Sequence, residues 1–133
     1  MKLNFREATI DAFEGNTMGF GMGVSVGDYN SDGELDLYVS NMYSKAGHRV
    51  IDHFDGKVDE RISISTKGNF LYEKVNGKFR HVAGMEDGKQ HVSKVGWSFG
   101  GQFADFDNDG KLDIYVPSGF FTAPESVAEK IDL

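Results

Sequence analysis

Side-chain oxygens recur at alternate positions in the nine-residue stretch that begins at Asp28. Asp28, Asn30 and Asp32 stand at its first, third and fifth positions, and Asp36 stands at the ninth. Gly33 follows the third oxygen and tolerates the positive φ that a tight curl needs. The stretch offers no nitrogen or sulfur ligand, so it predicts a hard cation, and Ca²⁺ takes roughly six to eight oxygen ligands.

A second stretch with the same pattern begins 77 residues downstream (105 − 28). Its four carboxylates are Asp105, Asp107, Asp109 and Asp113. At the seventh position, Glu34 in the first stretch and Lys111 in the second are expected to contribute a backbone carbonyl, as that position does in the EF-hand. Plain acidic turns do not require a carboxylate at the ninth position twice, so the pair predicts two Ca²⁺ sites rather than solvated turns.

The metal is expected to be structural, because carboxylates held around one point repel one another unless a cation offsets the repulsion. Asp109→Ala should therefore remove a ligand, whereas Asn108→Ala should matter little. The EF-hand itself is excluded, because its twelfth position is a bidentate Glu and Val39 and Val116 stand there in this chain. The β-branched and aromatic residues that follow both stretches favour strands. Both loops are therefore expected to join strands.

The composition indicates one all-β unit with many turns, because the 133 residues include 17 Gly, only 2 Pro and 13% aromatics. The net charge of −7 argues against nucleic acid as a partner. Two Ca²⁺ ions, each adding two charges, would bring it to −3. The chain has no cysteine, which excludes disulfides and thiol chemistry. It shows no signal peptide and no run long enough for a membrane span, so membrane insertion is not expected.

An internal repeat with the 77-residue offset organises the chain. The strands predicted for the first copy are Gly19–Gly27, Leu35–Asn41, Gly68–Val75 and Lys78–Val82. Asn76-Gly77 predicts a tight hairpin between the last two strands. Residues 42–67 form an insertion with a short helix or strand, and Val95–Val116 is the second copy of the first strand pair. Met1–Thr9 is predicted as a further strand, because Asn4-Phe5-Arg6 matches Lys78-Phe79-Arg80.

With these elements placed, the sequence resembles the FG-GAP and VCBS repeats of β-propellers, including the blades of the integrin α head. The resemblance is carried by Gly27–Leu37, Phe99–Asp113, Gly68–Tyr72 and Asn76–Phe79. It implies blades of four antiparallel strands with Ca²⁺ in the loop between the first two strands.

The resemblance implies about one and a half to two blades within a single unit over residues 1–133. Repeat 1 covers about residues 19–82 and includes the insertion, and partial repeat 2 covers about residues 95–120. Met1–Thr9 would be the outer strand of a preceding blade, and residues 121–133 would form a C-terminal tail. A closed propeller needs about four to eight blades.

The resemblance implies a non-enzymatic calcium-binding module that serves adhesion, recognition or assembly outside the cell. Two alternatives stay open: a propeller fragment of a polysaccharide-active enzyme, and a carbohydrate-binding module. The sequence shows no clustered acid, base and nucleophile, so no catalytic residue is predicted. His48 and His53 are expected to be solvated loop residues. A glycan or protein ligand fits the module, but the sequence does not name it.

Self-association or packing against further blades is the last expectation. Leu112–Val116 would present an unpaired strand edge, and Met1–Thr9 of a second copy would add to it by β-augmentation. Phe5 should then be buried only in the assembly. A head-to-tail contact of this kind forms a ring if the rotation closes and a filament if it does not.

Overall fold

The computed structural model describes residues 3–43 and 60–118. The described helices and strands are α1 (Thr9–Ala12), β1 (Phe13–Glu14), β2 (Gly21–Gly27), β3 (Asp36–Asn41), α2 (Glu60–Ser65), β4 (Phe70–Val75), β5 (Lys78–His81), β6 (Gln102–Ala104) and β7 (Asp113–Tyr115). The fold is therefore mostly β, as the composition predicts. The tail 121–133 and most of the insertion lie outside the described residues, and α2 is the short helix expected within that insertion.

The larger sheet has the strand order β1-β5-β4-β3-β2. All neighbouring pairs from β2 to β5 are antiparallel, and each strand lies within two residues of its predicted bounds. From β2 to β5 successive strands pair with their neighbours in sequence, although residues 42–69 separate β3 from β4. The exception is β1, which pairs with β5. The second sheet consists of β6 and β7, which are also antiparallel. Within the described residues neither sheet closes on itself.

The hairpin between β4 and β5 turns at Asn76 and Gly77, as predicted. Both residues have positive φ, 52° and 79°, which is the backbone of a type I′ turn. The turn sets the register in which Val75 pairs with Lys78 and Tyr72 pairs with His81. This register places His81 beside the aromatic rings of β4.

The predicted strand at Met1–Thr9 is wrong for the residues that the structure describes. Residues 3–8 have no regular structure, and the N-terminal segment joins the sheet only through β1, which runs parallel to β5. Phe13, not Phe5, stacks on Phe79, with ring centroids 4.9 Å apart. Phe13 also meets the edge of Tyr72 at 5.0 Å. These two ring contacts stabilise the pairing of β1 at Phe13, whereas Phe5 is 93% exposed.

In the second copy of the strand pair, predicted at Val95–Val116, the first strand is shorter than its counterpart β2. Only Gln102–Ala104 forms a strand. Gly96 and Gly100 have φ of 81° and 59°, and a residue with positive φ interrupts an extended chain. Between these glycines the chain makes two isolated bridges, from Trp97 to Met42 and from Ser98 to Ser118.

The second sheet packs on one face of the first. Tyr38, Leu71 and Ala83 form the buried cluster, and Phe103 and Ile114 of the second sheet pack against it. The two repeats approach each other closely at glycine residues. A Cβ on Gly23 would lie 3.0 Å from the backbone of Gly100. A side chain at this position would push the two sheets apart.

A buried polar network joins the sheets at the end of β3. The Asn69 side chain accepts hydrogen bonds from the Asn41 N–H and from the Ser98 hydroxyl, both at 2.7 Å, and donates to the Tyr38 hydroxyl at 2.7 Å. The Tyr38 hydroxyl in turn donates to the Val92 carbonyl at 3.0 Å. Because buried polar groups are costly when unpaired, this network fixes one register between β3, β4 and the second repeat.

Candidate metal centre

Two hairpins present the predicted ligand loops. Loop 1 (residues 28–36) joins β2 to β3, and loop 2 (residues 105–113) joins β6 to β7. The strand pair closes each loop at its base, because Gly27 pairs with Asp36 and Ala104 pairs with Asp113. The first and ninth positions of each loop are therefore brought together by strand pairing.

The backbone of loop 1 is held by its own side-chain oxygens. The Asp28 carboxylate accepts hydrogen bonds from the N–H groups of Asp32 and Gly33, at 3.0 and 2.9 Å. The Asn30 oxygen accepts from the Asp32 N–H at 3.2 Å, and the Asp32 carboxylate accepts from the Glu34 N–H at 2.9 Å. The alternation of oxygens thus curls the chain before any cation is considered.

Loop 2 repeats this frame bond for bond. The Asp105 carboxylate accepts from the N–H groups of Asp109 and Gly110, at 3.0 and 2.9 Å. Asp107 accepts from the Asp109 N–H at 3.2 Å, and Asp109 accepts from the Lys111 N–H at 2.8 Å. Two stretches with different intervening residues therefore adopt the same curl.

The curl requires left-handed backbone at two positions of each loop. Gly33 and Gly110 have φ of 89° and 85°, as the turn prediction requires. The fourth positions, Ser31 and Asn108, also have positive φ, 60° and 61°. The expectation that Asn108→Ala matters little for metal binding stays a prediction. For stability a cost is expected, because alanine in this region is strained, whereas asparagine tolerates it.

The acidic side chains converge in loop 2. Ligand atoms of Asp105, Asp107 and Asp109 lie within 4.8 Å of one another, and all three residues are exposed. In loop 1 the middle residue is Asn30, whose amide donates to the Asp32 carboxylate at 3.0 Å. Loop 2 therefore brings three carboxylates together where loop 1 has two carboxylates and an amide.

Asp36, at the ninth position of loop 1, has surroundings that suit a cation ligand. Asp36 is 0% exposed, and its Oδ1 accepts from the Lys74 N–H at 2.9 Å. Its Oδ2 is buried and accepts no well-formed hydrogen bond from the described residues, although the nearby Tyr29 N–H acts to lower the pKa of the carboxyl group. Burial raises the pKa of Asp36, and the Asp32 carboxylate acts in the same direction. A buried carboxylate oxygen without a well-formed hydrogen bond is the kind of ligand that an oxygen-seeking cation takes.

The seventh positions differ in their surroundings. Lys74 pairs with the Glu34 carboxylate outside loop 1, which leaves the Glu34 carbonyl as the group predicted to face the cation. In loop 2 the seventh residue is Lys111, whose side chain has no oxygen, so its backbone carbonyl is the group predicted to face the cation. Its backbone N–H donates to the Asp109 carboxylate. At the ninth position of loop 2, Asp113 accepts from the Phe106 N–H at 3.1 Å. All ten residues predicted as ligands thus belong to the two loops, and metal ligation itself stays a prediction.

Residues 20–58 match the family model of the FG-GAP repeat. This match covers 39 of the 133 residues of the chain (58 − 20 + 1), which is less than half of it. The matched segment spans β2, loop 1 and β3 and continues into residues outside the described part of the chain. The VCBS part of the resemblance stays a prediction. No curated protein and no solved structure matches the chain.

Sequence reasoning missed two aromatic residues that bind the FG-GAP repeat to the second sheet. The Tyr29 hydroxyl donates to the Glu73 carboxylate, and its ring stacks on Phe103 at 5.9 Å with an interplanar angle of 3°. Burial and the Glu73 carboxylate raise the pKa of Tyr29, so it stays a neutral donor. The alternation of loop ligands could have indicated Tyr29, because the residue between two ligands must point away from the cation.

A separate cavity of about 630 Å³ lies beside the FG-GAP repeat. Lys67, Lys89 and Lys94 line it together with Tyr43 and His81. The Lys94 ammonium lies 5.9 Å from the centre of the Tyr43 ring, within reach of a cation–π contact. Glu86 also lines the cavity, so its wall carries three lysines and one carboxylate and is partly aromatic. His48 and His53, which are expected to be solvated, lie outside the described residues.

The described part of the chain contains no helix long and apolar enough to span a membrane.

Proposed function

We propose that this chain is a calcium-stabilised, propeller-type repeat module that acts outside the cell in adhesion, recognition or assembly, without catalysis. FG-GAP repeats are typically non-catalytic structural or binding modules and are commonly extracellular. One observation carries the calcium part of the proposal. Two loops have the same hydrogen-bond frame, and loop 1 ends at a buried carboxylate, Asp36.

Calcium would be held in loop 1 by side chains of Asp28, Asn30, Asp32 and Asp36 and by the Glu34 carbonyl. In loop 2 it would be held by Asp105, Asp107, Asp109 and Asp113 and by the Lys111 carbonyl. The ion would supply positive charge to carboxylates that otherwise repel one another. The chain supplies the preformed curl, so little backbone reorganisation accompanies binding.

Thermal unfolding with Ca²⁺, with Mg²⁺ and with chelator tests this proposal. A ligand that binds only the folded state stabilises it by about 2.7 kcal/mol at a hundredfold excess over Kd, so Ca²⁺ should raise Tm clearly. Isothermal titration should give two sites for the native chain and one for Asp109→Ala. Asp87→Ala, which removes an exposed carboxylate outside both loops, is the matched control. A Tm that chelator leaves unchanged would contradict the calcium role.

A second candidate function is the binding of acidic carbohydrate in the basic cavity. Three lysines beside Tyr43 suit a ligand that combines a carboxylate or sulfate with a sugar face. A glycan array that includes acidic polysaccharides, probed with and without Ca²⁺, separates this candidate from a purely structural module. Assay of the same polysaccharides for cleavage products tests the enzymatic alternative, and cleavage would overturn the non-catalytic proposal.

A further inference from the structure

The two sheets pack on each other within the chain, and each residue of this contact has a counterpart 77 positions away in the other repeat. Phe103 of the second sheet stacks on Tyr29 and meets the edge of Tyr38 at 6.2 Å. Leu112 reaches the backbone at Gly27, where a Cβ would lie 2.9 Å from the leucine side chain. One repeat thus offers apolar side chains, and the other offers two aromatic rings and a glycine.

The 77-residue offset identifies the side chains of repeat 1 that match those offered by repeat 2. Val26 corresponds to Phe103, Leu35 corresponds to Leu112, and Val24 corresponds to Gly101. We call Val24, Val26 and Leu35 the inserting face. All three are exposed, and Val26 is 54% exposed although it lies within β2. In repeat 1 the surface that should pack against a neighbouring sheet is therefore bare.

The same offset identifies a matching bare surface on repeat 2. Tyr115 corresponds to Tyr38, Phe106 to Tyr29, and Ala104 to Gly27. We call Ala104, Phe106 and Tyr115 the receiving face. Tyr38 is 0% exposed, whereas Tyr115 is 57% exposed. The Phe106 and Tyr115 rings lie 5.8 Å apart, so an aromatic platform like that of repeat 1 is present without a side chain on it.

A polar feature of the internal contact has a counterpart as well. The Phe103 N–H donates to the Ser25 hydroxyl at 3.0 Å across the two sheets. Phe103 corresponds to Val26, which also has a backbone N–H. Ser25 corresponds to Gln102, which has a side-chain oxygen. The receiving side therefore keeps an acceptor near its aromatic pair.

We propose that the inserting face of one copy packs on the receiving face of a second copy, in a contact related to the one that joins the two sheets within the chain. The contact between copies is wider than the internal one, because Ala104 and Val24 carry side chains where the internal contact has Gly27 and Gly101. A second copy is the occupant because every chain carries both halves of the contact, and because the contact continues the sheet-on-sheet interface already present. The inference deepens the assembly part of the proposed function. The faces differ, so the contact is heterologous and forms a ring or a filament.

Sedimentation velocity and light scattering from about 1 µM to about 1 mM protein, with Ca²⁺ present, should show self-association in a range typical of weak to moderate contacts. Val26→Asp and Tyr115→Asp should each weaken it by about tenfold or more, because each places a charge in the centre of an apolar contact. Ile10→Asp makes the same kind of change at an exposed site on neither face and should leave association unchanged. Val26→Thr, which keeps the side-chain volume, provides a milder variant if Val26→Asp does not fold.

The two variants together test the head-to-tail geometry. Val26→Asp keeps an intact receiving face and Tyr115→Asp keeps an intact inserting face, so an equimolar mixture should form pairs that grow no further. A native chain that stays monomeric at about 1 mM, or association that neither variant weakens, would overturn the inference. A monomer whose Tm still rises with Ca²⁺ would refute the inference alone, whereas association without any calcium response would refute the calcium part of the proposed function alone.

Discussion

Loops 1 and 2 share one hydrogen-bond frame but lie in different surroundings. Asp36 at the end of loop 1 is buried, whereas Asp113 at the end of loop 2 is exposed. Tyr29 in loop 1 is covered by the second sheet, whereas its counterpart Phe106 is bare. The motif therefore determines the backbone of the loop, and the neighbouring sheet determines what the same side chain experiences.

The largest expected effect comes from neutralising the ninth carboxylate. Asp36→Asn and Asp113→Asn should each remove most of one loop's calcium stabilisation, about 2.7 kcal/mol at a hundredfold excess over Kd. In chelator the two variants should differ. Asp36→Asn keeps the oxygen that accepts from Lys74 and removes a buried charge, so it should be at least as stable as the native chain. Asp113→Asn removes an exposed charge and should change little.

Urea unfolding with Ca²⁺ and with chelator measures both differences. Asp87→Asn, at an exposed position outside the loops, controls for the loss of one negative charge. Equal behaviour of Asp36→Asn and Asp113→Asn in chelator would show that burial of the ninth position does not distinguish the two loops.

The shared frame predicts a second effect that has the same sign in both loops. It should be smaller in loop 2, where removing one of three converging carboxylates also relieves repulsion. Asp28→Ala and Asp105→Ala each remove an acceptor of two backbone N–H groups. At about 1 kcal/mol for each hydrogen bond, Asp28→Ala should lose about 2 kcal/mol in chelator, and Asp105→Ala should lose less. Asp28→Asn keeps one oxygen and should lose about half as much. A loss confined to one loop, measured by urea unfolding, would mean that the frames are not energetically equivalent.

The sequence predicts those parts of the fold that local pattern controls. The alternating residues of β2 and β3, the Asn76-Gly77 turn and the two loops are all local, and they form where they are predicted. The N-terminal strand could not be predicted, because Phe5 and Phe13 differ only in what they meet in the folded chain. Phe13 lies beside Phe79 and Tyr72, whose positions depend on the sheet.

The same distinction applies to the candidate site. The ligand spacing predicts which ten residues belong to the loops, because spacing is a property of the sequence. The burial of Asp36 depends on Lys74, 38 residues away, and the cover on Tyr29 depends on Phe103. The positive φ of Asn108 follows from the geometry of the closed loop. No spacing rule indicates contacts of this kind.

A smaller effect tests the backbone of loop 2. Asn108→Ala places a Cβ at φ 61° and should cost about 1 kcal/mol, while Asn108→Gly should cost less because glycine has no such strain. Both substitutions remove the same side chain, so their difference isolates the backbone term. Urea unfolding in chelator measures it. Equal losses for alanine and glycine would mean that loop 2 relaxes out of the left-handed conformation that loop 1 also adopts at Ser31.

The smallest expected effect is a pH dependence of the free energy of unfolding that arises from His81 in the cavity and not from the loops. Burial lowers the pKa of His81 and Lys89 lowers it further, while Glu86 acts in the opposite direction. The unfolded chain therefore binds more protons than the folded chain between the folded pKa and about 6.5. The stability from neutral His81 is complete above about pH 6.5 and is lost as the pH falls through the folded pKa.

Urea unfolding in calcium-free buffer between about pH 5 and pH 7.5 covers this window. His81→Phe keeps a ring beside Phe70 and Tyr72, which His81 contacts at 5.0 and 5.3 Å, and should flatten the pH profile. His91→Phe alters an exposed histidine and should leave the profile as it is. If His81→Phe retains the full pH dependence, the titrating group lies elsewhere, and the loops and the cavity cannot be separated in this way.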